Sequence, residues 1–398
     1  MKPSSVGLES NSSSSGKMIL SWAAVILITI AVSLPVISAN IYSPDKVSDY
    51  KDHILFARDL LNGNEIPPHI LAHAMLQGLT ILGYRLLQIS LENVTLVIML
   101  SANLATSGLI FAHLRGNSPT SSPWLAVAAA ACMLVASPIA LFFFQDQKFY
   151  LGYIGIISYH NPTIILLRPL ALLNFLLIPA IISSRPAQPS FIVGAFVTSA
   201  LAAAVKPSLA ICVLPVLALA ILWSLINKQP VQWGLLIFGF VLPTAGILGW
   251  QYGTTYGTED SRIIWAPLEV MHTYAASGLL PRFLLSIWFP LLTLVLFARE
   301  VRGSSELVFA WLVFLAGSAY TYLLAESGLR FIHGNFGWSG EIGLFLLFIA
   351  TLSFLVKQWP EKAGQRNKII AALLAGFCFH LFFGLLYYYQ SITTPLFF

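Results

Sequence analysis

The chain has 398 residues, of which 57% are hydrophobic and only 9% are charged, and its mean hydropathy is +0.80. A soluble globular protein carries about 25% charged residues, so this composition excludes that class and indicates an integral membrane protein. The net charge of +5 comes from 21 Lys and Arg against 16 Asp and Glu. In a protein with many membrane spans, the side on which each charge lies matters more than the sum, so no nucleic-acid partner is implied.

The three cysteines lie within apolar runs and show no CxxC spacing. Cys132, Cys212 and Cys378 are therefore predicted to be small buried apolar residues, neither disulfide partners nor metal ligands. This usage leaves the redox compartment open.

The chain begins with a Ser- and Asn-rich segment, residues 1–17, which is predicted to be a disordered cytoplasmic tail. The apolar run 18–39 follows and is longer than the core of a signal peptide. We expect an uncleaved first membrane span with its N-terminus inside. The small residues Ser38 and Ala39 leave cleavage as an alternative.

The polar stretch 40–68 holds four of the six aspartates. If it is helical, Asp49, Asp52, His53 and Phe56 share one face through their three- and four-residue spacing, and Gly63 ends the helix. Two carboxylates and an imidazole beside a membrane could take a proton from an acceptor hydroxyl, which is general-base chemistry. A solvated acidic loop with an aspartate at the helix N-cap is the alternative.

Residues 69–91 are apolar enough to span, yet they carry two histidines, two glutamines and an arginine. If this segment is an amphipathic helix at the membrane interface, all later polar clusters fall on one side of the membrane. His69 and His73 share a helix face and would suit two ligands of a metal, but no third ligand follows by spacing. Interfacial histidines with their polar edges in water are the favoured interpretation.

About eleven membrane spans follow from that choice. They lie near 18–39, 93–113, 123–143, 163–183, 190–205, 208–226, 231–250, 283–298, 306–325, 338–356 and 369–389. Cations then gather on the inner side, as the positive-inside tendency requires. The prediction is an all-α polytopic helix bundle, one transmembrane domain at 18–398 with a cytoplasmic N-terminus, a first outer loop at 40–92 containing interfacial helices and a second at 251–282.

A polar motif precedes the fourth predicted span, where Tyr159, His160, Asn161 and Pro162 are followed one to two turns later by Arg168. A proline is well placed near a helix start, so a capping turn explains part of the motif. An arginine slightly inside an apolar segment is costly unless it is paired or wetted, and more often lines a cavity. His160, Asn161 and Arg168 are therefore candidate substrate-binding residues.

Lys206 lies between two apolar runs, with Pro207 opening the next helix. An ammonium at a helix N-terminus, where backbone N–H groups also favour anions, outlines a phosphate site. A lysine that reaches back to the interface is the alternative.

The segment Glu326 to Trp338 packs charges, glycines and aromatics at the outer end of the tenth predicted span. Aromatic residues of a membrane interface explain Trp338, but they do not explain Arg330 or His333. Arg330 is a candidate phosphate-binding residue, and His333 and Asn335 are candidate substrate-binding residues. Glu341, just within the span, needs a partner or a cavity.

The order of a first span, an acidic outer loop, an interfacial helix and a span ending in a basic residue resembles the start of GT-C glycosyltransferases, membrane enzymes that use polyprenyl-phosphate-linked sugars. The likeness is greatest to lipid A aminoarabinose transferases and protein O-mannosyltransferases, in the order Asp49, the segment 57–61, Gly63 and the apolar stretch 68–83. It covers roughly the first 115 residues and a patch around 200–215. His53 stands where that family usually has an aromatic Tyr.

The resemblance implies an inverting sugar transfer at the extracytoplasmic face of the plasma (inner) membrane. Asp49 would act as general base, assisted by Asp52 or His53, and Lys206 and Arg330 would stabilise the leaving phosphate. The implied partners are a polyprenyl-phosphate-linked sugar donor, membrane lipid, and a glycan, lipid or protein acceptor.

No cofactor or structural metal is predicted. An activating divalent cation bound by Asp49 and Glu259 or Asp260 stays an alternative. The rival classes are a transporter or flippase of a polar or lipid-linked substrate and a non-catalytic relative that acts as a subunit. No internal repeat of the kind common in transporters is visible in the sequence.

Overall fold

A computed structural model describes residues 9–118, 122–184, 186–257, 261–359 and 364–395. These residues are mostly helical, as the all-α prediction requires. The α-helices are α1 (Glu9–Tyr42), α2 (Asp49–Leu61), α3 (Pro68–Leu71), α4 (Met75–Leu87), α5 (Leu91–Asn117), α6 (Pro123–Cys132), α7 (Phe143–Asp146), α8 (Pro162–Leu177), α9 (Pro189–Val205), α10 (Ser208–Ile226), α11 (Leu242–Tyr256), α12 (Glu269–Tyr274), α13 (Leu279–Ser286), α14 (Trp288–Leu296), α15 (Ala298–Arg302), α16 (Ser305–Leu323), α17 (Gly337–Gln358) and α18 (Gln365–Thr393).

Three further helical segments extend these helices. A 3-10 turn at Ile178–Ile182 continues α8, a π-helical segment at Leu235–Val241 leads into α11, and a 3-10 helix at Gly328–His333 precedes α17. Two short strands, β1 (Ile263–Trp265) and β2 (Leu324–Glu326), pair antiparallel. The strands join the predicted second outer loop to the segment between α16 and α17.

Within the described residues, eight helices are long and apolar enough to cross a membrane. They are Gly16–Tyr42, Leu91–Asn117, Pro162–Ile182, Ser208–Ile226, Leu235–Tyr256, Ser305–Leu323, Gly328–Gln358 and Arg366–Thr393. The helices α13 and α14 are bent by 69° at their junction and would add a ninth if they form one broken span. The chain is a multi-pass membrane helix bundle, and the finer prediction of eleven spans is met only in part.

Two of the predicted spans are not among the candidate membrane-crossing helices, because the helices found there are too short. The predicted span 123–143 is helical only as α6, which has 10 residues and is about 15 Å long, half the hydrocarbon thickness of a bilayer. After α6 the chain leaves the helix, and the amide of Ser137 bonds the His380 carbonyl of α18 at 3.2 Å. The helix α9 has 17 residues.

Residues 49–61 of the predicted first outer loop form the helix α2. Ser48 caps α2 by accepting the Tyr50 amide, and the helix ends before Gly63, whose φ of +76° is the left-handed conformation that glycine adopts readily. The segment 69–91 forms α3 and α4, and neither is long enough to span.

The N-terminal prediction needs a correction. The helix α1 begins at Glu9, so the described residues from 9 to 17, predicted to be disordered, are helical. Residues 1–8 of the predicted tail lie outside the described residues.

The centre of the bundle is α17, whose residues from Ser339 to Val356 are all buried. It packs closely against α16 because glycines face the contact. A Cβ at Gly317 would clash with the backbone of Ser339, and a Cβ at Gly343 would meet the Phe314 Cα at 2.9 Å. Small residues at such crossings let membrane helices approach closely. This contact fixes the start of α17, which lies at the site described next.

Candidate functional site

A cavity of about 980 Å³ opens at one end of the bundle. Among the described helices, α2, α8, α10 and α17 begin beside it, and α9, α11 and α16 end there. The N-termini of helices carry a partial positive charge and the C-termini a partial negative charge, so an anion is favoured locally, beside the starts of α8, α10 and α17. The predicted site residues that line the cavity are Asp49, Asp52, His53, His160, Asn161, Lys206, Arg330, His333 and Asn335.

Asp49 is the first residue of α2 and is held from the side by Asn161. The Asn161 amide Nδ2 donates to Asp49 Oδ2 at 2.5 Å. The orientation of that amide is fixed because Asn161 Oδ1 accepts the backbone N–H of Ile164 at 3.0 Å as the N-cap of α8. The oxygen must face Ile164, so the nitrogen faces Asp49.

Lys206 lies in the turn between α9 and α10. Its Nζ donates to Thr163 Oγ1 at 3.0 Å and lies 4.5 Å from the ring centroid of Trp338. Within the described residues, no carboxylate pairs directly with this ammonium. An ammonium over a tryptophan face is stabilised without being neutralised, so its charge is retained for a ligand.

A chain of hydrogen bonds joins Lys206 to Asp49. Lys206 donates to Thr163, the Thr163 hydroxyl donates to Asn161 Oδ1 at 2.7 Å, and Asn161 donates to Asp49. Every donor along this chain points from the lysine toward the carboxylate. The two residues that the sequence assigned to different segments are therefore fixed relative to one another.

The electrostatics of the pair reflect partial removal from water. Burial raises the pKa of Asp49, and Lys206 and the Asn161 bond oppose that rise. Burial lowers the pKa of Lys206 to about 8, against the opposing charges of Asp49 and Glu341. A carboxyl with a raised pKa is a better proton acceptor than an ordinary aspartate, and a lysine with a pKa near 8 is still mainly charged at pH 7.

Three buried histidines that line the cavity, His53, His73 and His160, are uncharged at neutral pH. Burial, reinforced by the charge of Lys206, lowers the pKa of His53 to about 4 and those of His73 and His160 to about 3. His53 Nδ1 lies 2.8 Å from Gln77 Nε2, and His73 Nδ1 lies 3.2 Å from Gln251 Nε2. His53 can therefore assist Asp49 only as a neutral imidazole.

The second predicted phosphate ligand, Arg330, has an acid beside it. Arg330 Nη2 lies 2.8 Å from Glu326 Oε1, which also accepts the Tyr256 hydroxyl at 2.7 Å. Asn335 donates to the other oxygen of Glu326. The charge of Arg330 is thus largely countered within the protein, whereas that of Lys206 is not. His333 lines the cavity and is exposed.

Arg168 does not line the cavity, so its prediction as a substrate-binding residue needs a correction. Its side chain is 6% exposed, lies 3.5 Å from Glu341 and donates to the Ser158 carbonyl at 3.3 Å. The position in α8 places it below the cavity floor, where Glu341 meets the requirement for a partner.

Several cavity residues were missed from the sequence. Thr163 and Trp338 hold Lys206, Tyr150 lines the floor, and Gln251 bonds His73. Thr163 directly follows the Tyr159 to Pro162 motif, so its two-residue spacing from Asn161 could have been used. No local signal marks Tyr150 or Gln251, because their partners lie far away in the chain.

The described part of the chain contains no group of three or more His, Cys, Asp or Glu residues that could hold a metal ion. His69 and His73 both line the cavity without such a third ligand. Glu259 and Asp260, named as partners of Asp49 for a divalent cation, lie outside the described residues. Of the cysteines, Cys212 is buried as predicted, but Cys132 is half-buried and Cys378 is exposed on a candidate span; no disulfide joins them.

The remaining wall is largely apolar. It is formed by side chains of α3, α9, α10 and α11, namely Ile70, Val205, Ile211 and Leu248. Since α10 and α11 are candidate spans, this wall adjoins the part of the bundle that faces lipid. The cavity thus joins a charged centre to an apolar side.

The fold and cavity define a multi-pass membrane protein with a polar site at one end of its helix bundle. In comparisons with known proteins, no family model and no curated protein matches this chain. Its function is therefore argued from the geometry of the cavity.

Proposed function

We propose that this protein is a membrane glycosyltransferase that moves a sugar from a polyprenyl-phosphate donor to an acceptor at the extracytoplasmic face of the plasma membrane. The proposal starts from the resemblance of the sequence to GT-C enzymes. One observation carries it: the hydrogen-bond chain from Lys206 through Thr163 and Asn161 to Asp49. An anion-binding group and a carboxylate base are thereby held at a defined separation in one cavity.

In the proposed reaction, the oxygen of an acceptor hydroxyl forms a bond to the anomeric carbon of the donor sugar. The bond from that carbon to the phosphate oxygen breaks, and the configuration inverts. Asp49 takes the hydroxyl proton, while Lys206 and the helix N-termini stabilise the negative charge left on the polyprenyl phosphate. Asp52 and neutral His53 lie on the same helix face as Asp49 and would support the acceptor side.

The apolar wall supports a lipid-linked donor. Ile70, Val205, Ile211 and Leu248 supply a surface on which a polyprenyl chain would rest while its phosphate reaches Lys206. Arg330 would contribute less to phosphate binding than Lys206 because Glu326 counters its charge. His160, His333 and Asn335 would contact the sugar or the acceptor, and Asn161 would act through Asp49.

A transporter is less well supported by this geometry. Transporters generally bind substrate near the bilayer midplane, between broken helices. Here the charged cavity lies where α8, α10 and α17 begin and α9, α11 and α16 end. The acceptor class (glycan, lipid or protein) is left open by this argument.

The test is Asp49→Asn in cells and in purified protein, with Asp45→Asn as the matched control. Asp45 is an exposed aspartate four residues earlier that does not line the cavity. Loss of a general base costs about 10²- to 10⁴-fold in rate, so Asp49→Asn should abolish a lipid or glycan product at unchanged protein abundance. Unchanged product in both Asp49→Asn and Asp52→Asn would refute the base assignment.

The side of the membrane needs its own test. A cysteine introduced at position 62, in the turn after α2, should react with a membrane-impermeant thiol reagent added outside intact cells. Labelling only after the cells are opened would place the cavity on the cytoplasmic face and refute the extracytoplasmic assignment.

A further inference from the structure

Glu341 is a buried carboxylate that the proposed reaction does not use. It lies in the first turns of α17 and is 1% exposed. Its two oxygens accept hydrogen bonds from the Tyr150 hydroxyl at 2.8 Å and the Ser158 hydroxyl at 2.9 Å, and Arg168 lies 3.5 Å away. A buried carboxylate is costly unless several donors surround it, and here three side chains do so.

These contacts also fix the segment that leads to Asn161, the residue that donates to Asp49. Ser158 precedes Asn161 by three residues, and Arg168 donates to the Ser158 carbonyl while Glu341 accepts the Ser158 hydroxyl. Both the backbone and the side chain of Ser158 are therefore fixed. Asn161 follows this anchored residue, caps α8 and donates to Asp49.

Glu341 is also linked to the residues around Lys206. Trp338 precedes Glu341 by three residues on α17, so both lie on one helix face, and Lys206 rests on the Trp338 ring. The ring centroid of Tyr150 lies 5.2 Å from that of His160 and 6.3 Å from that of Trp338. The tyrosine that donates to Glu341 therefore also packs near these two cavity-lining residues.

We infer that Glu341, with Arg168 as its counter-ion, is a positioning residue that sets the separation of Asp49 and Lys206 by joining α17, α8 and the segment from Tyr150 to Asn161. Neither Glu341 nor Arg168 touches substrate in this arrangement. The inference rests on the proposed function for what the positioning achieves. The contacts that carry it do not depend on that function.

The first experiment compares Glu341→Gln, Arg168→Gln and the double variant. Each single variant leaves one buried charge without its counter-charge and should lower the unfolding temperature, and the double variant should regain it. A displacement of reacting groups by about 1 Å can cost up to 10²-fold in rate, so the double variant should still transfer sugar roughly tenfold or more below wild type. A double variant with wild-type stability and wild-type rate overturns the inference.

Tyr150→Phe and Ser158→Ala cover the case in which the charge variants do not fold. Each removes one hydroxyl that Glu341 accepts and buries no unpaired charge. Both should lower the transfer rate several-fold and should lower the unfolding temperature less than the charge variants do. Unchanged rates in both variants overturn the inference.

The second experiment does not need enzymatic activity. Purified protein is treated with an amine-reactive acylating reagent, and acylation of Lys206 is followed by peptide mass spectrometry. Among the described groups, the charges of Asp49 from α2 and Glu341 from α17 stabilise the Lys206 ammonium. The charge of Lys206 in turn lowers the pKa values of His53, His73 and His160.

Glu341→Gln removes one of the two negative charges, so more Lys206 is unprotonated and its acylation at pH 7 should be measurably faster than in wild-type protein. Lys357, at the other end of α17, is the internal control and should react at an unchanged rate. Unchanged acylation of Lys206 overturns the inference. If wild-type protein transfers sugar from no lipid-linked donor, the proposed function fails, while this labelling still decides whether Glu341 acts on Lys206.

Discussion

Asp49 and Lys206 in the cavity and the charged residues at the opposite end of the bundle are held in different ways. At the end away from the cavity, Glu306 on α16 lies 2.7 Å from His113 and 2.9 Å from Lys357, and Arg366 lies 3.6 Å from Glu300. At the cavity end, Lys206 contacts a hydroxyl and a tryptophan ring, and Asp49 contacts an amide. The 22 residues of α17 separate the two ends by about 30 Å.

The two arrangements suit different roles. Paired charges gain their stabilisation within the protein and have little left for a ligand. Charges that are kept apart by neutral donors and acceptors cost stability but stay available to bind and react. Arg330 and Glu326 line the cavity and are nevertheless paired, so they mark the part of the cavity that is already neutralised.

The sharpest test of the comparison replaces one lysine at each end. Lys206→Met should lower sugar transfer by roughly 10²- to 10³-fold, since a preorganised charge at the developing anion is removed. Lys357→Met should leave transfer near the wild-type rate because its charge only pairs with Glu306. Initial rates at equal protein abundance decide between them, and similar losses in both variants would remove the distinction.

The pH dependence of transfer follows from the same lysine. The ammonium is lost as pH rises through about 8, so the rate should fall on the alkaline side of that value. Asp49 must be ionised to accept a proton, and its raised pKa makes the acidic fall in rate begin at a higher pH than an ordinary aspartate would cause. Lys206→Arg keeps its charge at higher pH and should move the alkaline fall upward, and a profile unchanged by this substitution would contradict the role of Lys206.

Variants of Asn161 can distinguish its contact with Asp49 from its role as the N-cap of α8. Asn161→Ser keeps an N-cap oxygen for α8 but is too short to reach Asp49, whereas Asn161→Ala loses both contacts. Both variants should slow transfer several-fold, and only the alanine variant should lose about 1 kcal/mol of stability. Transfer rates and thermal unfolding of the two variants are compared, and a serine variant with the full rate would show that the Asp49 contact is dispensable.

The smallest effect on activity is expected at the opposite end. Glu306→Gln leaves His113 and Lys357 without their shared carboxylate and should cost about 1–3 kcal/mol of stability, because the site is only partly buried. Sugar transfer per folded molecule should not change. Thermal unfolding in detergent and the specific rate together check this, and a lost rate at retained stability would link the two ends.

Much of the architecture could be predicted from patterns of apolar residues. Long runs such as 18–39 and 369–389 identify spans because a bilayer leaves the backbone of an isolated segment no alternative to helix. The limits of this approach show at 123–143, where the run is apolar apart from Ser137 and Pro138 but the helix ends at Cys132 and the following backbone bonds α18. Hydropathy measures transfer into lipid and does not register such contacts with another helix.

The class of protein and the polar residues able to carry chemistry follow from the sequence alone, because composition and periodicity are local properties. Only the tertiary structure decided that Asn161 would join Asp49 to Lys206, that Glu326 would counter Arg330 and that Arg168 would lie below the cavity. Those outcomes depend on contacts between residues far apart in the chain. Whether a buried charge is free or paired depends on such contacts, and no local pattern encodes them.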